Sequence, residues 1–161
     1  MRKIWAGLVL AILLTSGCDR GSHPGQIGTV APTFDVSDGT HSVDLAKLHG
    51  DVVVLNFWAT WCAPCIEELP SLMAMQRRLP QVKVLAVSTD EDASAYSQFL
   101  IDHPMGDLTT VRDGQQRANA LYGTFRYPET YVIDRKGIIR RKFIGPQEWT
   151  SPEIMAYLKK L

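Results

Sequence analysis

Asp51-Val52-Val53-Val54-Leu55-Asn56-Phe57-Trp58-Ala59-Thr60-Trp61-Cys62-Ala63-Pro64-Cys65 decides how this chain is read. Residues 51–58 are almost continuously apolar and β-branched, the mark of a strand buried on both faces, so they form the centre of a sheet. From Pro64 to about Leu79 the apolar positions Ile66, Leu69, Leu72, Met73, Met75 and Leu79 follow helical spacing. Pro70 lies inside that run and predicts a kink, not an end. A central strand thus feeds a helix across a turn that carries both Cys62 and Cys65.

Two cysteines three apart at a helix start lie on nearby turns, so their sulfurs can close a small disulfide ring. Cys62 faces the helix N-terminus, where unpaired amides and the dipole favour a thiolate and lower its pKa below the ordinary ~8.5. Cys62 is therefore the attacking thiol, and the deeper Cys65 resolves the mixed disulfide. Pro64 restricts the backbone between them and donates no hydrogen bond, so it bears on thiolate stability and redox potential. A C-x-x-C can also be half of a zinc site, a copper site or a purely structural disulfide. No second such pair exists and His23, His41, His49 and His103 are remote in sequence, so neither a metal nor another cofactor is expected.

Outward from this stretch, residues 82–88 read as a second buried strand and residues 93–102 as a helix. A short helix near 117–122 precedes a strand at 130–134, and a turn at Arg135-Lys136-Gly137 leads into an antiparallel strand at 138–144. Ser151-Pro152-Glu153 opens the last helix, with Ser151 as cap and proline at the first helical position. Upstream, residues 33–36 and 40–43 flank Ser37-Asp38-Gly39 as a short hairpin. The order β-α-β-α-β-β-α predicts an α/β fold, a mixed sheet flanked by helices, with an N-terminal hairpin extension.

The chain's 161 residues fit one domain, and 45% hydrophobic with 21% charged residues can fill a core. Lys+Arg and Asp+Glu both number 17, which leaves no basic excess for phosphates and argues against a nucleic-acid partner. Arg2 and Lys3, then the apolar run 4–14, then Thr15-Ser16-Gly17 before Cys18 read as a secretion signal. The apolar run rises only about 16 Å as a helix against roughly 30 Å of hydrocarbon, too short for a permanent span. Leu14-Thr15-Ser16-Gly17-Cys18 resembles a bacterial lipobox, with Thr15 where leucine is more usual. That resemblance implies cleavage before Cys18 and lipidation of its thiol; the other reading is an ordinary signal peptide with Cys18 left as a spare thiol. An unpaired exposed thiol in an oxidising compartment would be a liability, which favours the lipid. Residues 1–17 are then a signal peptide, 18–28 the lipidated cysteine and a flexible tether, and 29–161 the globular domain. Asp19 after the lipidated position resembles the inner-membrane retention signal of enteric-type Gram-negative lipoproteins.

The run 54–65, followed by Glu68-Leu69-Pro70 and later by Tyr127-Pro128-Glu129-Thr130-Tyr131-Val132-Ile133-Asp134, resembles the TlpA/ResA-like branch of the thioredoxin superfamily. Ala31-Pro32-Thr33-Phe34 resembles that branch's N-terminal extension, so the likeness covers about residues 28–161. It implies a thioredoxin-like fold and makes Tyr127-Pro128 the cis-proline loop, facing the C-x-x-C and pairing with a partner's extended strand. Thioredoxins carry a buried aspartate where this chain has Asn56, while this branch has an acidic residue three after the second cysteine, here Glu68. Glu68 falls on the Cys65 face of the helix, where burial would raise its pKa into the range for exchanging a proton with Cys65. A solvated Glu68 is the alternative, and Glu67 is the exposed control.

Trp61 offers a flat apolar wall beside the motif residues Ala63 and Pro64, whereas Trp58 reads as core. Asp90-Glu91-Asp92 reads as a loop leading into a helix and favoured by its dipole, and Glu129 as a partner contact or a solvated strand end. The resemblance implies an extracytoplasmic, membrane-anchored reductase of protein disulfides. Its electrons would come from a membrane donor of the DsbD/CcdA type, and its target would be the haem-binding C-x-x-C-H pair of apocytochrome c. An oxidase or isomerase using the same residues, and a non-enzymatic metallochaperone or redox adaptor, are the other readings. Thr60-Trp61-Cys62 lacks the P-x-x-x-T-x-x-C arrangement of peroxiredoxins, which disfavours peroxidase chemistry.

Overall fold

The computed structural model describes residues 26–161. The expected signal peptide, Cys18 and Asp19 lie outside the described residues. The apolar run at 52–58 forms β3 (Val52–Trp58), buried at every position. It lies at the middle of a five-stranded sheet of order β5-β4-β3-β6-β7. The other strands are β4 (Val82–Ser88), β5 (Thr109–Arg112), β6 (Glu129–Ile133) and β7 (Ile139–Ile144). β4 pairs parallel with β3 and β5 with β4, whereas β6 and β7 run antiparallel. The parallel pairs require helical crossovers, which α1 (Ala63–Arg78) and α2 (Ala93–Asp102) supply.

Alternation along the strands divides the core into two layers. Val52, Val54 and Trp58 face α1, through Leu69, Leu72 and Met75, together with α2 and α4 (Pro152–Leu158). Val53, Leu55 and Phe57 face α3 (Arg117–Tyr122), through Ala118 and Tyr122, and the hairpin of β1 (Asp35–Ser37) and β2 (Ser42–Asp44). The layers are the expected thioredoxin-like arrangement with its N-terminal hairpin. α1 continues through Pro70, and Ser151 caps α4 by accepting from the Ile154 N–H.

Two elements differ from the sequence reading. The hairpin strands sit one to two residues further along than expected, pinned by an Asp38 carboxylate that accepts from the Thr40 and His41 amides. β5 was not expected: Thr-Thr-Val-Arg is too short and polar to show a period, and it pairs at the sheet edge, where Thr110 Oγ1 meets Tyr96 Oη at 2.9 Å.

Every strand of the parallel set ends at the pole where α1 begins, so the dithiol sits at the carboxyl edge of the sheet. The layer between β3 and α1 is closely filled, with Leu72 fully buried. Leu72→Ala is expected to cost about 2–5 kcal/mol, read as a lowered denaturant midpoint without a changed slope. An unchanged midpoint would remove α1 from the main core.

Candidate active site

Cys62 is the N-cap of α1, and its carbonyl accepts from the Cys65 and Ile66 amides at 3.0 and 3.1 Å. Ala63 and Pro64 form the first turn, where a missing proline N–H costs nothing because that amide has no helical partner. Cys62 and Cys65 are joined as a disulfide with Cα atoms 5.3 Å apart. Cys65 is fully buried while Cys62 retains 6% exposure, the asymmetry an attacking and a resolving sulfur require.

The turn before Cys62 is held from below. Thr60 donates to the Asp90 carboxylate through both its amide and its hydroxyl, and the Ser88 hydroxyl donates to the same group at 2.6 Å. This corrects the reading of residues 90–92 as one dipole-stabilised loop. Asp92 does cap α2, accepting from the Ser94 and Ala95 amides, but Asp90 is buried and ties the cysteine turn to the end of β4.

Trp58 is fully buried and Trp61 is 67% exposed, as their positions implied. The Tyr127-Pro128 peptide is cis, and Tyr127 meets Trp61 edge to face with centroids 5.7 Å apart, which brings the proline loop against the cysteine turn. Asn119 of α3 steadies Tyr127 by donating to its hydroxyl at 2.8 Å. The Pro128 carbonyl accepts from the Gly145 amide, so that oxygen is already occupied.

Glu129 is the plain correction. It is fully buried, neither solvated nor available to a partner, because strand alternation turns it to the sheet face away from α1. There it meets Lys142 of β7 at 3.1 Å, a cation that also lies over the Tyr131 ring.

Glu68 lies one helical turn beyond Cys65 and is only 3% exposed, while Glu67 points outward. Its Oε1 accepts from Asn56 Nδ2 at 2.7 Å; its Oε2 accepts from the Gln147 amide at 2.9 Å and from Trp149 Nε1 at 3.3 Å. Asn56 also donates to Thr130 Oγ1, which links the carboxylate to β6. Burial pushes the Glu68 pKa up to about 6, and the three donors hold it back from rising further. The resemblance singles out Asn56 as standing where thioredoxins carry a buried aspartate, but Thr130, Gln147 and Trp149 give no sequence signal of their part. Among the described residues no cluster of three or more His, Cys, Asp or Glu could hold a metal ion.

A family model described as the AhpC/TSA family matches residues 27–142. The chain is 32% identical over 139 residues to the thiol-disulfide oxidoreductase ResA of Bacillus thuringiensis (strain Al Hakam), covering 84% of this chain and 79% of that protein. It is 31% identical over 144 residues to the thiol:disulfide interchange protein DsbE of Pseudomonas aeruginosa, covering 86% and 79%. A crystal structure from Chlorobium tepidum, described as a thiol:disulfide interchange protein DsbE, superposes with a TM-score of 0.72 at 30% identity, over 83% of this chain and 93% of that one.

With a carboxyl pKa raised from 4.5 to about 6, the folded state holds the Glu68 proton more tightly than the unfolded chain. Stability from this group is therefore full below about pH 4.5 and lost as pH rises through 6, by on the order of 2 kcal/mol. Urea unfolding of the oxidised protein is expected to show wild type losing that much relative to Glu68→Gln between about pH 4 and about pH 7.5. Parallel pH curves for the two proteins would mean that Glu68 is not desolvated.

Proposed function

The chain belongs to the AhpC/TSA family and is a thiol-disulfide oxidoreductase; from that premise we propose that it is a membrane-anchored, extracytoplasmic reductase of protein disulfides. The observation that carries the reading is the unequal pair at the head of α1. Cys62 keeps a residual opening beside exposed Trp61 and half-buried Tyr127, while Cys65 is sealed above a buried carboxyl group.

In the reduced state the Cys62 thiolate attacks a partner disulfide. One partner sulfur leaves as a thiolate and takes a proton from water, and a mixed disulfide remains. Cys65 loses its proton to Glu68 and attacks the Cys62 sulfur, and the second partner sulfur leaves as a thiolate that takes the proton back from Glu68; the enzyme ends oxidised and the partner reduced by two electrons. A membrane donor of the DsbD/CcdA type would return the pair to the dithiol. Lipidation of Cys18 would hold the domain at the periplasmic side, on the inner membrane by the reading of Asp19. Among the described residues no helix is long and apolar enough to cross a membrane.

Electrostatics supports the reducing direction. The N-terminus of α1 stabilises a Cys62 thiolate, but Asp90 beneath the turn and Glu68 beneath Cys65 oppose a second negative charge. Weak stabilisation of the reduced form favours the disulfide and lowers the potential, the reverse of a strong oxidant. The C-x-x-C-H pair of apocytochrome c is the partner we assign, since thioether formation requires it reduced.

The test uses a C-x-x-C-H peptide in its disulfide form. Cys62→Ser is expected to abolish its reduction, and Cys65→Ser to accumulate a peptide-protein adduct through Cys62 that dithiothreitol releases. Full reductase activity in Cys62→Ser would overturn the mechanism. Adducts with unrelated disulfide peptides but none with this one would remove the assigned partner.

A further inference from the structure

We propose that the pole of the domain opposite the dithiol seats on the anionic headgroups of the bilayer, so that the Cys62–Cys65 end points away from the membrane. The inference rests on the anchored reading above and adds the face that the anchor leaves unspecified.

Cys18 lies eight residues before Gln26, so even a fully extended tether spans no more than about 28 Å. That length keeps the domain at the surface without choosing which side faces it. The charge on the two poles makes the choice. α1 has 16 residues and is about 24 Å long, so its last turn, with exposed Arg77 and Arg78, lies far from Cys62. The start of β4 brings Lys83 to the same pole, and the turn between β6 and β7 brings Arg135 and Lys136. Asp44, Asp107 and Asp134 are matched there by Lys47, Arg77 and Arg140. Lys83, Arg135, Lys136 and, at the end of α4, Lys159 and Lys160 make no ion pair among the described residues, and Arg78 faces Glu148; the carboxylates without an ion pair at this pole are Asp35, Asp51 and Asp102. The dithiol end has no such surplus, since exposed Glu67, Glu91 and Asp92 stand there beside exposed Arg117 and Arg126. An anionic surface attracts the first pole more than the second.

The basic pole also carries apolar surface. A hollow of about 230 Å³ is lined by Leu45, Leu48, Val53 and Ile133, with Lys136 also on its wall. Val30, 70% exposed, stands at the same hollow and follows closely on the point where the described chain begins. Apolar surface beside free cations suits an interface of lipid headgroups, where both are satisfied at once.

The full chain, purified from membranes, is reconstituted on vesicles of phosphatidylethanolamine with phosphatidylglycerol and on neutral vesicles of phosphatidylcholine. Flotation reports anchoring and backbone amide exchange reports the seated face. The expected result is flotation with both, and exchange slowed several-fold at residues 45–51 and 134–139 only on the anionic vesicles. High salt, or the pair Lys83→Glu and Lys136→Glu, should remove the slowing while flotation persists. Flotation with equal exchange on both vesicles overturns the seating and leaves the anchor standing, as does slowing at residues 60–66 instead. A chain that floats with neither overturns the anchored reading and the seating together.

Discussion

A carboxylate almost sealed from water, with three N–H donors around it, holds the active-site end of this protein together. Glu68 joins α1 to β3 through Asn56, and to the segment before α4 through the Gln147 amide and the Trp149 indole. Ser71, one turn further along α1, donates to the Gln147 carbonyl and accepts from the Trp149 amide, so the same segment is clamped twice. Burying a carboxylate is costly unless it is paired or hydrogen-bonded, and here the donors offset part of that cost and fix where the group sits. What remains uncompensated appears as the raised pKa, which makes the group able to exchange a proton near neutral pH.

The two sulfurs inherit different environments from this arrangement. Cys62 caps the helix and has the dipole in its favour, whereas Cys65 is enclosed by the first core layer and stands one turn above the carboxyl group. Asp90 adds a second buried acid beneath the cysteine turn, anchored by Thr60 and Ser88. Redox character then follows from a competition between the helix terminus, which stabilises the thiolate, and two acids, which oppose it.

Most of this was legible in the sequence where a local period or a short-range spacing carried it. The apolar run of β3, the helical spacing of α1 and the split between Trp58 and Trp61 follow from neighbours along the chain, whereas Glu68 is singled out by the family resemblance, with a solvated carboxylate as the alternative. What escaped depends on register between distant segments. Glu129 reads from the sequence as a partner contact or a solvated strand end, because a polar residue at a strand start is usually accessible, and only the pairing of β6 with β7 brings Lys142 against it. Trp149 and Gln147 belong to an aperiodic segment, so nothing local indicated that they complete the shell around Glu68. β5 was missed because four residues with one large apolar side chain show no period.

The central claim, that this site is poised to give electrons to partner disulfides, is tested most directly by the equilibrium reduction potential of the Cys62–Cys65 pair against glutathione or thioredoxin. The account expects a value of about −250 mV or lower, close to thioredoxin at about −270 mV. A value near that of a strong oxidant, about −120 mV, would contradict it and make disulfide formation the direction of flow.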